Sequence, residues 1–350
     1  MTVRVRLLEG AGPLRRAAVA YGAAILLATA VGAAAVASLG ADVGLALRTV
    51  LASSLGSWVG FGQTLNKVTP LLLGGLAVAL GLRGGFFNIG VDGQMYLGAI
   101  AATGMAFLLP SSGLPAPVAV GMVLAAGIGG GAALGAVPAV LRAYWGVSEI
   151  FVTVMLNFVL LFLTEYLTTG PWNDPMAGEA ISRLIPDGAS LPMLLPASGT
   201  HAGILAAAGC AVLLWWLLDR TALGFEIRAV GDNPHAARVA GVSVQRITLL
   251  VLSASGAIAG LAGAIEVAGF HNRLILGLSP GYGVMAILIA VLGRGTPAGV
   301  LLASGAMAVL LVGSDSLQRS IGLPASAALV FQAVMMLTVL TLESGRRRAA

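Results

Sequence analysis

A glycine-rich stretch at residues 83–94, RGGFFNIGVDGQ, brings polar side chains between two long apolar runs. Asn88, Asp92 and Gln94 can donate or accept hydrogen bonds, and a carboxylate next to a membrane-spanning run is a candidate functional group. Irregular backbone at that depth is tolerated only where protein buries it or where it lines a wet cavity. Two interpretations follow. The stretch forms the polar part of a solute path, or it is an interfacial turn whose polar groups cap a helix beginning near Gly93.

Two further polar side chains lie inside apolar runs. Asn157 lies about midway along one run, where an amide is either a hydrogen-bonded link between helices or a contact to a solute. Glu266 lies late in a run rich in glycine and alanine. It either binds a coupling cation, or it is a near-surface acid that pairs with Arg273 or caps a neighbouring helix.

A polar segment at residues 220–246 has the signals of a short, firmly capped helix. Asn233 suits the N-cap, Pro234 the first helical position, and Gly241 the left-handed position beyond the end. The pattern predicts a helix of about two turns, on which Arg238 lies. It is either an ordinary amphipathic connector or a coupling helix that docks onto a cytoplasmic ATPase and transmits its closure.

The sequence lacks the patterns of an enzyme. His201, His235 and His271 are far apart, without metal-ligand spacing, and no G-x-S-x-G motif occurs. The only lysine, Lys67, is followed by Val68, so the G-x-x-x-x-G-K-[ST] loop that binds ATP phosphates is missing. We therefore expect no catalytic residues, no metal and no cofactor, with any ATP bound and hydrolysed by a separate subunit.

Composition places the chain in a lipid bilayer. Of its 350 residues, 58% are hydrophobic and only 9% are charged, whereas soluble domains carry roughly 25% charged residues. The net charge of +5 comes from basic residues that stand singly between apolar runs, which indicates cytoplasmic loops rather than a nucleic-acid partner. The single cysteine, Cys210, excludes an internal disulfide.

The predicted fold is all-α and polytopic, a single transmembrane domain over residues 1–350 with about ten spanning helices. The eighth apolar run is short, and Pro70 interrupts the second. The runs lie at residues 14–39, 65–82, 88–109, 117–141, 150–169, 201–219, 247–269, 281–293, 297–313 and 321–341.

The distribution of basic residues predicts the orientation. With both termini in the cytoplasm, 14 of the 19 lysines and arginines fall inside and 5 outside, as the positive-inside rule requires. Residues 170–200 then form a long extracytoplasmic loop, mostly irregular because of its prolines, and residues 220–246 face the cytoplasm. Five spans precede the outer loop and five follow it, which is the topology of an inverted 5+5 repeat.

The motifs resemble those of permeases from bacterial ABC importers for nucleosides. That group belongs to a wider family with ribose-type sugar and branched-chain amino-acid permeases, and the likeness covers roughly residues 60–340. Asp92 stands where the nucleoside group usually has glutamate. The matching stretches are FNIGVDGQMYLGA (86–98), SEIFVTVMLNF (148–158), GFEIRAVGDNPHAARVAGV (224–242), SGAIAGLAGAIEVAG (255–269) and AVLGRGTPAGVLLA (290–303).

The resemblance implies a permease subunit in the inner membrane of a bacterium. Its partners would be a cytoplasmic ABC ATPase, a second related permease or a second copy, and an extracytoplasmic binding protein or lipoprotein. A simple-sugar permease of the ribose or galactose type is the main alternative. An ion-coupled secondary transporter, with Asp92 or Glu266 as the ion site, is a further one.

Two sets of residues follow from these arguments. The substrate-path candidates are Asn88, Asp92, Gln94 and Asn157. The segment at 224–242 matches the ATPase-contacting loop of the family, and its coupling candidates are Gly224, Arg228, Gly231, Asn233, Pro234, Arg238 and Gly241.

Overall fold

The computed structural model describes residues 43–109 and 114–321, which are mostly helical. A π-helix, Glu266–His271, continues α9. The helices are α1 (Val43–Leu55), α2 (Trp58–Arg83), α3 (Val91–Leu108), α4 (Ala116–Trp145), α5 (Glu149–Thr169), α6 (Gly203–Arg220), α7 (Ala222–Asp232), α8 (Pro234–Val239), α9 (Val244–Ile265), α10 (Tyr282–Leu292) and α11 (Pro297–Ile321).

Eight of the ten predicted spans coincide with helices α2 to α6 and α9 to α11. Six helical segments within the described residues are long and apolar enough to cross a bilayer. The helix α3 is less apolar because its first turn carries Asp92 and Gln94, and α10 is short. The predicted spans at 14–39 and 321–341 lie outside the described residues, so the ten-span count and the inverted repeat stay predictions.

Helix α2 corrects one expectation, because it runs through Pro70 without interruption. Residues on both sides of the proline, from Val68 to Gly81, are buried. Neighbouring helices and their side chains can satisfy the backbone groups that a proline frees within a membrane helix. Close packing on all sides therefore holds the helix together at the one turn where proline removes a donor.

Helices α3, α4 and α9 meet through glycines, a set of contacts that we call the glycine seam. A methyl group on Gly260 would lie 2.3 Å from the Gly127 carbonyl oxygen, and one on Gly256 would lie 2.3 Å from that of Gly131. One on Gly263 would lie 1.9 Å from the Met95 carbonyl oxygen. Small residues spaced four apart allow such close approach of helices in membranes. The three backbones are thus in direct contact.

The outer loop between α5 and α6 is irregular, as predicted, and is attached to the end of α9. It contains two 3-10 turns and a small antiparallel pair, β1 (Met193–Leu195) and β2 (Thr200–His201). Three backbone hydrogen bonds attach it to residues 268–274. They run from the amides of Leu191, Ile185 and Ser182 to the carbonyls of Ala268, Asn272 and Leu274.

The described residues divide into two compact units. One contains residues 55–309. The other contains residues 43–54 and 310–321, in which Val50 packs against Gly313. That the chain forms one domain over residues 1–350 stays a prediction.

Candidate functional site

Asn88 forms the centre of a buried hydrogen-bond network. Its side chain is fully buried, and its Nδ2 donates to the Gln94 Oε1 at 2.9 Å and to the Ser255 Oγ at 2.7 Å. The Ser255 hydroxyl in turn donates to the Ala77 carbonyl at 2.6 Å, and the Gly90 amide donates to the Asn88 Oδ1 at 2.9 Å. Satisfied networks of this kind hold a unique geometry. The network fixes the irregular segment 84–90 against α2, α3 and α9.

Asn157 on α5 holds the other side of the same segment. Its Oδ1 accepts from the Gly93 amide at 2.8 Å, and its Nδ2 donates to the Ile89 carbonyl at 2.9 Å. Of the two interpretations of this amide, the structure shows the link between helices. The side chain is only half-buried, so one edge stays accessible.

Asp92 caps a helix other than its own. Helix α3 begins at Val91, two residues before the predicted start at Gly93, and Gly90 caps it without a side chain. The Asp92 Oδ1 instead accepts from the Ser279 hydroxyl and, at 2.7 Å, from the Gly283 amide in the first turn of α10. A carboxylate at a helix N-terminus satisfies an orphan donor and complements the helix dipole.

Helix α10 is too short to cross a bilayer. Its eleven residues span about 16 Å, roughly half of a hydrocarbon core of about 30 Å. Its C-terminal end is fixed by Arg83, whose Nε donates to the Gly295 carbonyl at 2.9 Å. Residues 272–281 before it lack regular helix. Discontinuous helices with buried N-termini form the binding sites of many transporters.

The expected pairing of Glu266 with Arg273 is wrong. Glu266 is buried in the π-helix, and its Oε2 lies 3.5 Å from the His271 Nε2. Arg273 instead pairs with Asp174 of the outer loop at 3.7 Å. The left-handed backbone of Asn272 turns the chain between the two residues, which separates the arginine from the glutamate.

The polar segment at residues 220–246 contains two short helices, α7 and α8. The predicted capped helix is confirmed as α8. The Asn233 Oδ1 accepts from the amides of His235 and Ala236 at 3.0 Å each. Gly241 follows with φ +87°. Helix α7 was not predicted, and the Thr221 hydroxyl caps it by accepting from the Gly224 amide at 3.0 Å.

The coupling candidates separate into buried and exposed groups. Gly224 packs on the carbonyls at the end of α6, and Arg228 lies 4.0 Å from Asp219. In α8 only Ala237 is buried, whereas Asn233, Pro234, Arg238 and Gly241 are exposed together with His235 and Val239. The outer face of α8 is thus available to a partner.

Gly231, at the end of α7, touches the backbone of the irregular segment 84–90. A methyl group on Gly231 would lie 2.2 Å from the Arg83 carbonyl oxygen and 3.1 Å from the Gly85 nitrogen. Gly85 has φ +79°, a conformation that favours glycine. Helix α7 is therefore in direct contact with the segment that carries Asn88.

Residues 60–340 match the family described as the branched-chain amino acid transport system / permease component. The chain belongs to this family. It is 37% identical over 336 residues to a glucose ABC transporter permease of Haloferax volcanii, covering 92% of this chain and 87% of that one. It is 36% identical over 283 residues to a guanosine ABC transporter permease of Bacillus subtilis, covering 79% and 80%. No solved structure matches.

The permease is therefore a multi-pass membrane protein and a transport component rather than an enzyme. Family membership overturns the alternative of an ion-coupled secondary transporter. Sequence reasoning missed Ser255 and Ser279, which bond to Asn88 and Asp92. It also missed Tyr282 and Lys67, to which the hydrogen bonds continue from Ser279. Two signals were present: Lys67 is the only lysine, and Ser279-Pro280-Gly281 precedes the one short span.

Proposed function

We propose that this permease forms the translocation path of an ABC importer for nucleosides. The observation that carries the proposal is the discontinuity at membrane depth, where Asp92 holds the N-terminus of α10. Guanosine and nucleoside ABC permeases, at 36% and 31% identity, are among the relatives. A nucleoside offers ribose hydroxyls and a base edge, which carboxylate, amide and hydroxyl groups can match by hydrogen bonds.

The four path residues divide into two roles under this proposal. Asp92 and Asn157 are half-buried and can reach a solute, whereas Asn88 and Gln94 are buried and hold the backbone of the path. The solute is delivered by a binding protein and must be released again. These residues therefore govern the rate of passage more than the overall affinity.

The cytoplasmic segment couples transport to ATP hydrolysis. The exposed face of α8 docks onto the cytoplasmic ATPase, and its caps make it rigid enough to transmit motion. Movement of α7 and α8 passes through Gly231 to Gly85, because these backbones already touch. It passes on to α10 through Arg83, which bonds to Gly295.

The assembly follows from the family. We place the permease in the inner membrane of a bacterium, with both termini and residues 220–246 in the cytoplasm. It pairs with a second related permease or with its own copy, and it receives solute from a binding protein or lipoprotein on the outer side. ATP binds to the ATPase subunit.

A simple-sugar importer is the second candidate. It is favoured by the glucose ABC transporter permease at 37% identity and by the ribose import permease of Escherichia coli at 30% identity. A hydroxyl-rich sugar would use the same donors and acceptors. The substrate assay below separates the two.

The test is import by the reconstituted complex of permease, ATPase and binding protein. We expect radiolabelled nucleosides to be imported, with no competition by excess ribose or glucose. Arg238→Glu, or Gly241→Val at its positive φ, should abolish stimulated ATPase activity while the loaded binding protein still binds. Gly209→Ala in α6, away from the docking face of α8 and in open space, is the control and should behave as the parent. Import of sugar alone favours the second candidate, and unchanged stimulation in both variants contradicts the coupling role.

A further inference from the structure

Lys67 is a half-buried cation on α2 that faces the start of the discontinuous helix. Its Nζ lies 3.4 Å from the hydroxyl of Tyr282, the first residue of α10. Tyr282 itself is only 2% exposed. Lys67 lies on the face of α2 on which Gly74 and Gly75 contact Ala286 and Ile289 of α10. Through its contact with Tyr282, Lys67 extends the packing of α2 on α10 to the first residue of α10.

The contact made by the Lys67 side chain is unusual for a lysine near the end of a membrane-spanning segment. Sixteen residues of α2 separate Lys67 from Arg83, which is about 24 Å along the helix axis in a hydrocarbon core of about 30 Å. A lysine so close to the outer boundary can extend its ammonium to the interface. Here the ammonium instead lies 3.4 Å from the hydroxyl of a buried tyrosine, Tyr282.

Stability does not explain this arrangement. The hydrogen-bond partner of the ammonium is the neutral hydroxyl of Tyr282, and one hydrogen bond of this kind offsets little of the cost of taking a charge out of water. Within residues 43–109 and 114–321, Lys67 forms no ion pair with a carboxylate. An intramembrane charge held in this way is a functional group by default.

We propose that Lys67 is a specificity-determining residue of the translocation path, which favours neutral solutes rich in oxygen acceptors and excludes cations. The inference rests on the proposed import function. The ammonium carries three donors, which suit the hydroxyls of a sugar ring or the carbonyl of a nucleobase. Asp92 on the other side of the same helix terminus supplies an acceptor, since both of its hydrogen bonds end on Oδ1. A solute with a neighbouring donor and acceptor satisfies both residues.

The experiment compares a neutral nucleoside, guanosine, with a cationic one, nicotinamide riboside, in the reconstituted complex. Each is supplied at a concentration that saturates the binding protein, and maximal import rates are measured. In Lys67→Met the guanosine rate should fall about tenfold, the loss expected for one charge-assisted hydrogen bond. The rate for nicotinamide riboside should rise, because like-charge repulsion is removed, so the ratio of cationic to neutral import should rise by more than tenfold. Lys67→Arg should keep both values near those of the parent.

Gln63→Met, one turn earlier and exposed, is the matched control and should change neither value. If Lys67→Met assembles poorly, Lys67→Gln removes the charge and keeps a donor, and the same rise in the ratio is expected. An unchanged ratio in the assembled neutral variant overturns the role of Lys67. Failure of the parent complex to import any nucleoside contradicts the proposed function instead.

Discussion

Asp92 joins two helices whose bonded residues are 191 positions apart in the chain. In Asp92→Asn the amide oxygen can accept the same hydrogen bonds, so we expect thermal stability within about 1 kcal/mol of the parent. The import rate should fall, because the charge facing the path is gone. In Asp92→Ala the import rate should fall too, and the free energy of unfolding should drop by about 1–3 kcal/mol, the cost of an unsatisfied buried donor. Melting temperature and nucleoside uptake are measured side by side.

Ser279→Ala is the control for this comparison. It removes one hydrogen bond to Asp92 and leaves the carboxylate and its bond to Gly283 in place. Uptake should then stay closer to that of the parent than in Asp92→Asn. If Asp92→Asn complexes import nucleosides at the parent rate, Asp92 is a structural cap and has no part in the path.

His201, in the loop between α5 and α6, should make the stability of the folded permease depend on pH. Burial lowers the pKa of His201, and the negative charge of Glu266 opposes this shift. Its Nδ1 accepts from the Gly203 amide at 3.2 Å, so protonation there would break a hydrogen bond. The unfolded chain gains a proton near the ordinary pKa of about 6.5, before the folded chain does. The contribution of neutral His201 to the free energy of unfolding is therefore fully present above about pH 6.5, and it is lost as the pH falls towards the pKa of the folded state.

The measurement is the melting temperature of the purified permease between about pH 5 and 8, the range in which histidine titrates. The parent should melt at lower temperature on the acid side. In His201→Gln this part of the pH dependence should disappear, while His235→Gln, which changes an exposed histidine, should keep it. An identical pH profile in His201→Gln and the parent would contradict the assignment.

At the scale of elements, Gly231 is the point at which α7 touches the irregular segment 84–90. In Gly231→Ala the new methyl group would lie 2.2 Å from the Arg83 carbonyl oxygen, a backbone atom that cannot turn aside. The two segments must separate, at a cost of about 1–3 kcal/mol. We expect nucleoside import to fall at least tenfold, with basal ATPase activity retained and stimulated activity reduced.

The control for this variant is Gly209→Ala in α6, where a methyl group meets nothing within 4 Å. It should be neutral or slightly stabilising, since alanine is the better helix former. Normal stimulation of ATP hydrolysis in Gly231→Ala would show that the contact transmits no motion.

The glycine seam is expected to tolerate no side chain. In Gly260→Ala the methyl group would lie 2.3 Å from the Gly127 carbonyl oxygen, so α4 and α9 cannot keep their distance. Overpacking of this kind costs about 1–3 kcal/mol or more, and the yield of folded permease should fall. Gly129→Ala, on an open face of α4, should leave the yield unchanged. The yield is measured by fluorescence-detected size exclusion, and equal yields for the two variants would contradict the seam.

Sequence signals identified the elements whose determinants are local. Helix α8 was predicted from Asn233 and Gly241, because both caps act on backbone within a few residues. The bond from Gly283 to Asp92 could not be predicted, since it depends on how distant helices pack. For the same reason the sequence did not identify His271 as the partner of Glu266, and the burial of Glu266 was not predicted.

At the scale of the whole molecule, the distribution of basic residues predicts that both termini lie in the cytoplasm. Single cysteines at Asp187 and His235, both exposed, are introduced with Cys210→Ala to remove the native thiol. If both termini are cytoplasmic, position 187 reacts with an impermeant maleimide in intact cells, and position 235 reacts only after lysis. Labelling of position 235 in intact cells would mean that the orientation is inverted.

The glycine seam also limits which parts of the permease can change shape. Helices α3, α4 and α9 touch backbone to backbone, so no change of side-chain rotamer can let one slide past another. They must travel as a single rigid body through any transport cycle. Helix α10 is held differently. It packs on Gly74 and Gly75 of α2, the Asp92 carboxylate accepts two hydrogen bonds at one end, and Arg83 donates one at the other. Hydrogen bonds of this kind can break and re-form within one turnover, whereas the backbone contacts of the seam can separate only if a whole helix moves.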